Sequence, residues 1–150
     1  MIIFIYFLIR MSSFPSEVFY IKNNELYLDI ETEKTELNQY RIILSEKKND
    51  RQLWYYDKKD KLLKHYKTNG YLIFQYRGWI PYRSNIFLQT EMDYDIHFTP
   101  LEIQYIENEL IINEKYILLH DDNLNIIIQE KNDKKYNNYG EFNLSILNTI

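Results

Sequence analysis

The chain carries three similar segments at a nearly constant spacing. They begin at Asn24, Asn69 and Asn113, so that successive starts lie 45 and then 44 residues apart. The segments read Asn-Glu-Leu-Tyr-Leu, Asn-Gly-Tyr-Leu-Ile-Phe and Asn-Glu-Lys-Tyr-Ile-Leu. A period in this range is typical of repeated supersecondary units, none of which buries its apolar face alone. The sequence therefore predicts three copies of one building block.

Each copy contains further short apolar runs at corresponding places. A second run follows each segment, a third run closes the copy, and a short apolar stretch stands ahead of the next start. The second runs are 40–47, 84–91 and 124–131, the third runs are 52–56, 101–106 and 142–147, and the short stretches are 19–21, 62–66 and 110–112. The chain thus divides into three units of four runs.

These runs favour β-strands. They are short, rich in Ile, Tyr, Phe and Leu, and separated by clusters of turn residues, of which Asn69-Gly70 is the strongest turn signal. Alanine, the best helix former, is absent from the chain. Residues 101–119 also fit the apolar stripe of a helix, but the alternation of Leu101, Ile103 and Tyr105 fits a strand equally well. The counterpart of this stretch around Trp54 decides for the strand.

Twelve strands in three units of four predict an all-β fold of β-trefoil type. In that architecture six strands form a barrel and three hairpins close one end of it, with pseudo-threefold symmetry. Closure removes the free sheet edges that would promote aggregation of a chain rich in Ile and Tyr. We expect this domain to span residues 14–150.

Residues 1–13 precede the predicted domain as an apolar extension. Their apolar run is much shorter than the roughly 20 residues that cross a bilayer, and no basic region or small-residue cleavage site marks a signal peptide. Three interpretations stay open: an extra edge strand, a degenerate membrane anchor, or a natural start at Met11. We expect no membrane role.

Composition and charge exclude several functional classes. The chain has no cysteine, which rules out disulfides and thiolate chemistry and favours a reducing, cytoplasmic location. Its formal net charge of -4 argues against nucleic-acid binding. The three histidines lack metal-ligand spacing, and neither a nucleophile elbow nor a Gly-rich phosphate loop is present. We predict no metal, no cofactor and no enzymatic activity.

The first unit resembles those of the ricin B-type lectins. Leu28-Asp29-Ile30 is similar to the Leu-Asp-Val segment of that family, and Gln52-Leu53-Trp54 to its Gln-x-Trp motif. Residues 41–44 are similar to the strand that lies between them, and residues 14–21 to the opening of such domains. The resemblance covers about residues 14–147 in outline and implies a carbohydrate-binding β-trefoil. The Trp54 side chain is expected to point into the core.

The same resemblance assigns candidate sugar-binding residues. Asp29 matches the aspartate that holds the sugar, and Gln52 matches the glutamine of the motif. Ser45 stands where the family has an aromatic platform, and Arg51 where it has an asparagine, so this copy departs from the pattern. The second and third copies carry apolar residues at the aspartate position. The alternative for Asp29 is a carboxylate bonded to nearby backbone, and Gln52 is more often structural.

The segment 76–83 holds a second candidate contact. It concentrates aromatic and arginine residues, including Trp79 and Tyr82, beside a glycine and a proline that indicate a turn. Trp, Tyr and Arg dominate binding hot spots, and aromatic rings also stack on sugars. The alternative is that Trp79 folds back to plug the barrel.

Two functions from different classes follow. The first is a non-enzymatic, lectin-like module that binds a glycan through Asp29, Gln52, Trp79 or Tyr82, with oligomerisation needed for avidity. The second is a protein-interaction β-trefoil, of the protease-inhibitor or adaptor type, that does not bind sugar. A degenerate β-trefoil without any ligand is the third alternative.

Overall fold

The computed structural model of the chain describes residues 14–35, 38–74, 86–90, 100–131 and 139–147. These residues form twelve β-strands and one short 3-10 helix, Asp50–Gln52. The strands are β1 (Phe19–Asn23), β2 (Leu26–Ile30), β3 (Gln39–Ser45), β4 (Leu53–Asp57), β5 (Leu62–His65), β6 (Tyr71–Phe74), β7 (Ile86–Gln89), β8 (Ile103–Ile106), β9 (Glu109–Ile112), β10 (Tyr116–His120), β11 (Ile126–Glu130) and β12 (Asn143–Ile146). The all-β prediction is confirmed, and residues 101–119 form strands.

All strand pairs are antiparallel and belong to two sheets. The larger sheet has the order β12-β1-β2-β3-β7-β6-β5-β4, and the smaller sheet has the order β11-β10-β9-β8. An additional pairing of β1 with β4 joins Phe19 to Trp54 and Tyr20 to Leu53. This pairing closes seven strands of the larger sheet into a ring, so the architecture is a barrel with an adjoining sheet.

The smaller sheet is attached to the barrel by a few backbone contacts. A bridge pairs Leu62 with Glu102, and the Ile103 N–H donates to the Lys61 carbonyl at 3.1 Å. On the other side, the Phe142 N–H donates to the Asn108 carbonyl at 2.8 Å. These contacts join segments at or beside strand ends that are far apart in sequence, so the two sheets are bonded to each other.

One apolar core fills the space between the sheets. Its largest fully buried side chains include Trp54, Phe19 and Phe142. A second, smaller cluster, formed by Ile111, Ile117, Leu119 and Ile127, lies apart from that core. The near-continuous burial of β10 and β11 explains why their sequences are runs of Ile and Leu and lack the alternation of a half-exposed strand.

The three asparagines that begin the similar segments share one backbone conformation. Asn24, Asn69 and Asn113 have φ angles of 54°, 61° and 50°. Asparagine is one of the few residues with a side chain that adopts positive φ readily. Each asparagine stands in the turn that leads into a strand, so the repeated letter has a local backbone cause.

Gly70 is required for space and not for a positive φ. A Cβ atom at this position would lie 2.9 Å from the Gln89 carbonyl oxygen and 2.9 Å from Leu88 Cγ. The turn signal of Asn69-Gly70 is therefore confirmed in place, but the reasons for its two residues differ. Asn69 has the positive φ, whereas Gly70 permits close approach of β6 to β7.

No helix long and apolar enough to span a bilayer occurs in the described ranges. The segments 1–13, 75–85 and 91–99 lie outside those ranges. The predicted extension at residues 1–13 therefore stays a prediction.

We predict that Gly70→Ala lowers the free energy of unfolding by about 1–3 kcal/mol, because overpacking displaces backbone. Gly140→Ala is the matched control, since a Cβ there would meet the Ile117 side chain at 3.3 Å and no backbone atom closer than 3.6 Å. Urea denaturation of both variants measures the difference. Equal loss of stability in the two variants would contradict the close approach at Gly70.

Candidate functional site

Asp29 lies in β2 and is fully buried. Its Oδ1 accepts the Ile30 N–H at 2.7 Å. Its Oδ2 accepts the side-chain amides of Gln52 at 3.1 Å and Asn49 at 3.3 Å, and the Arg51 guanidinium approaches to 4.0 Å. These hydrogen bonds and the nearby cation offset the free-energy cost of burying this carboxyl group. The carboxyl group therefore ties β2 to the segment before β4.

Gln52 completes this network from the other side and is also fully buried. Its Nε2 donates to the Lys47 carbonyl at 2.6 Å as well as to Asp29, and its Oε1 accepts the Asn49 N–H at 3.0 Å. The Asn49 Oδ1 in turn accepts the Arg51 N–H at 2.8 Å. Asn at the N-cap with Gln three residues later is the capping-box pattern, which satisfies the free donors at a helix start. Local sequence thus explains the short helix.

Trp54 and His65 lie behind this network, on the paired strands β4 and β5. Both side chains are fully buried and meet edge to face with ring centroids 5.1 Å apart. The indole N–H of Trp54 donates to the Leu28 carbonyl at 3.1 Å. The predicted inward orientation of Trp54 is confirmed. The Gln-x-Trp motif therefore contacts the Leu-Asp-Ile segment twice, once through each of its named side chains.

The hydrogen bonds of His65 define its proton position. Its Nε2 lies 2.6 Å from the Arg51 carbonyl, which only accepts, so Nε2 carries the proton in the neutral ring. Its Nδ1 lies 2.9 Å from Thr68 Oγ1 and accepts from that hydroxyl. The same hydroxyl oxygen accepts the Gly70 N–H at 3.2 Å. The turn after β5 is therefore bonded around a neutral histidine.

Burial lowers the pKa of His65 below its usual value near 6.5. The hydrogen bond to the Arg51 carbonyl and the Asp29 charge act in the opposite direction, whereas the charges of Arg51 and Lys67 lower the pKa further. The net effect keeps the ring neutral in the folded protein. Charging it would cost folded stability.

The structure brings Asp29 and Gln52 together but leaves neither with exposed surface. Asp29 therefore does not share an open pocket with an aromatic ring. Ser45, at the predicted platform position, ends β3 opposite Tyr27. Trp79 and Tyr82 lie outside the described residues and stay predictions. Among the described residues no cluster of three metal-ligating side chains occurs.

An open pocket of about 330 Å³ lies where three hairpins approach one another. Its lining comes from the residue that follows β2, from β3, from β7, and from the end of the β10–β11 connection and the start of β11. The lining residues are Glu31, Arg41, Ile42, Ile43, Ile86, Phe87, Leu124, Asn125 and Ile126. We call this the hairpin pocket.

The hairpin pocket was not predicted from the sequence. Glu31, Arg41 and Asn125 each look like ordinary solvated residues near a strand end, and the three hairpins meet only in the tertiary structure. One sequence signal was present, because Leu124 interrupts a polar turn, Asp121-Asp122-Asn123 before it and Asn125 after it. An apolar residue in such a turn is unusual when the turn is solvated.

Comparisons with known proteins support the fold alone. No protein-family model matches the chain, and no curated protein does so at a significant level. Among solved structures, the mdaA-1 domain is similar with a TM-score of 0.66 at 18% identity, covering 90% of this chain and 93% of that one. A designed threefold symmetric protein, ThreeFoil, is similar with a TM-score of 0.60 at 12% identity, covering 87% of this chain and 99% of that one.

A salivary protein of the mosquito Culex quinquefasciatus is also similar. It belongs to the cysteine- and tryptophan-rich family and matches with a TM-score of 0.62 at 11% identity, over 90% of this chain and 96% of that one. This chain has no cysteine. At such low identity, the three similarities concern the backbone fold and give no information on functional residues.

We predict that Asp29→Asn lowers the free energy of unfolding by about 1–3 kcal/mol, because one acceptor oxygen becomes a donor that faces other donors. Asp60→Asn, in the exposed turn between β4 and β5, is the control and should change stability by less than about 0.5 kcal/mol. Chemical denaturation measures both. If the two variants proved equally stable, the buried network would have no structural role.

We predict that stability falls as the pH drops below about 6.5, because the unfolded His65 takes up a proton that the folded ring resists. Because the pKa of His65 is lower in the folded state than in the unfolded state, its contribution to stability is fully present above pH 6.5. This contribution is lost as the pH falls toward the folded-state pKa. His65→Gln keeps a donor but cannot titrate, so its unfolding free energy should change less between pH 6.5 and about 5. Identical pH profiles of the two proteins would contradict this.

Proposed function

We propose that the barrel and the adjoining sheet together form a β-trefoil with three repeats. Six strands support this: β1 pairs with β4, β4 with β5, β8 with β9 and β12 with β1. Contacts of residues at or beside the strand ends, Leu62 with Glu102 and Phe142 with Asn108, link β5 toward β8 and β9 toward β12 and so complete a circuit. The other six strands pair as the hairpins β2–β3, β6–β7 and β10–β11. The likeness to a designed threefold symmetric protein agrees with this arrangement.

Within that fold, the chain acts as a non-enzymatic, lectin-like module that binds carbohydrate. One observation carries this proposal: the residues that resemble a ricin B-type unit contact each other. Gln52 donates to Asp29 across 23 positions of sequence, and the Trp54 indole donates to the Leu28 carbonyl. Two short motifs that resembled the family separately are thus parts of one contact.

Asp29 and Gln52 act in this proposal as positioning residues. Their polar atoms bond within the protein and have no exposed surface, so a sugar in this structure is contacted by other, exposed side chains. Trp79 and Tyr82 stay candidate contacts on the strength of their residue types. Aromatic rings suit the C–H face of a sugar because they offer a large, flat apolar surface.

The burial of Asp29 and Gln52 also favours the second candidate function, a protein-interaction β-trefoil without sugar binding. Among the residues that the structure describes, four large apolar side chains are at least one third exposed: Tyr66, Leu124, Ile146 and Leu147. Ile146 and Leu147 are consecutive, at the end of β12 and just after it. Exposed apolar residues that lie together are typical of protein contact surfaces.

Glycan-array binding of the purified chain, followed by calorimetric titration with the best sugar, tests the first function. We expect a dissociation constant near 1 mM, about 4 kcal/mol, for a single shallow site. The Trp79→Ala variant should weaken this binding, and Lys59→Gln, in an exposed turn, is the control. An array without binding would overturn the carbohydrate proposal, and capture of a stoichiometric protein that free sugar does not elute would support the second function.

A further inference from the structure

The hairpin pocket is lined in part by residues 41–43, within the strand that resembles a lectin unit, but not by the candidate sugar-binding residues of that unit. Neither Asp29 nor Gln52 lines it, since its walls come from the ends of three hairpins. Its volume of about 330 Å³ is at the lower end of the range for small-molecule sites. A site of this size accommodates a single small unit of a ligand.

Two opposite charges face the hairpin pocket without pairing. The Glu31 N–H donates to the Arg41 carbonyl at 3.0 Å, so the two residues are neighbours across the hairpin. Within the described part of the chain, neither side chain has an ion-pair or hydrogen-bond partner. A third polar side chain, Asn125, donates to Asp121 at 3.2 Å and has its amide oxygen left to accept.

Leu124 lies beside these polar groups and has a side-chain exposure and a backbone conformation that are uncommon for leucine. It is 47% exposed, and its φ of 64° places it in the left-handed region. Exposure and positive φ both disfavour a leucine, since glycine or asparagine would fill the same turn with less strain. Residues with strained backbone conformations cluster at ligand-binding and active sites. The surrounding turn is well bonded, because Asp121 accepts the N–H groups of Asn123 and Asn125.

We propose that the hairpin pocket binds a neutral saccharide unit. This inference rests on the proposed carbohydrate-binding function and names its site and ligand class. Hydroxyl groups donate to the Glu31 carboxylate and accept from the Arg41 guanidinium, whereas a purely acidic or basic sugar would face one like charge. The exposed Leu124 side chain covers the apolar C–H face of the ring.

Neutrality follows from the balance of the lining charges. Among the lining side chains, one carboxylate and one guanidinium sum to no net charge, so these two groups together favour neither an anion nor a cation. Each of these charged groups forms stronger hydrogen bonds to hydroxyls than a neutral group would. Loss of one such bond weakens binding by about tenfold.

The test is a titration of the isotope-labelled chain, followed by amide chemical shifts. The probes are galactose, mannose and N-acetylglucosamine as neutral sugars, with glucuronic acid and glucosamine as charged ones. Glu31→Gln and Arg41→Gln should each weaken neutral-sugar binding by about tenfold. Glu25→Gln and Lys59→Gln carry the same changes of charge in exposed turns outside the pocket and should bind as the parent chain does.

Leu124→Gly is a further test, because this substitution is expected to preserve the fold and any change in binding then reports on the contact. Relief of the positive φ should leave the urea midpoint unchanged or higher, while loss of the apolar contact weakens sugar binding. A variant that is less stable than the parent would overturn the assignment of strain. A variant that binds as tightly as the parent would overturn the contact.

The remaining outcomes separate the two proposals. Sugar binding that survives both Glu31→Gln and Arg41→Gln overturns the pocket as the site but leaves the carbohydrate function standing. Preference for glucuronic acid or glucosamine overturns the neutral ligand class. Absence of shifts with every probe, together with an empty glycan array, overturns the carbohydrate function and this inference with it.

Discussion

The pairings of β1 hold the molecule together. This strand pairs with β12 through Phe19–Lys22, with β4 through Phe19 and Tyr20, and with β2 through Lys22 and Asn23. It therefore joins the first hairpin, the barrel seam and the last described strand. Because Phe19 and Ile21 are fully buried, the same strand contributes apolar area to the core. Closure of the ring and burial of the core are thus one event, and neither is stable without the other.

In the network around Asp29, the two segments that resemble a lectin unit contact each other. Their polar side chains are buried, however, whereas a ligand site needs exposed ones. Gln52 and Asn49 donate to one carboxylate oxygen, and the backbone of Ile30 donates to the other. These bonds compensate for the loss of water around the charge. They also anchor the short helix that begins at Asp50 and so orient the entry into β4. The positioning of Trp54 against β2 follows directly from that anchoring.

The two ends of the first unit have contrasting chemistry. Near Asp29, buried polar groups are satisfied by one another and by backbone, which makes that region rigid. In the hairpin pocket, Glu31 and Arg41 stay without side-chain partners among the described residues, and Leu124 is exposed in a strained turn. Satisfied groups stabilise a fold, whereas unsatisfied exposed groups are available to a ligand. The carbohydrate proposal therefore relies on the second region for contact and on the first for shape.

Local sequence determined the strands and turns of this protein. Short runs rich in Ile, Tyr and Phe became the twelve strands of the described residues, and the asparagines at positions 24, 69 and 113 adopted the positive φ that their residue type tolerates. Only the tertiary structure decided that Asp29 is buried, that Gly70 is needed for space against Gln89, and that three hairpins enclose a pocket. The physical reason is range: propensity and turn geometry act over a few residues, whereas burial depends on partners dozens of positions away in sequence.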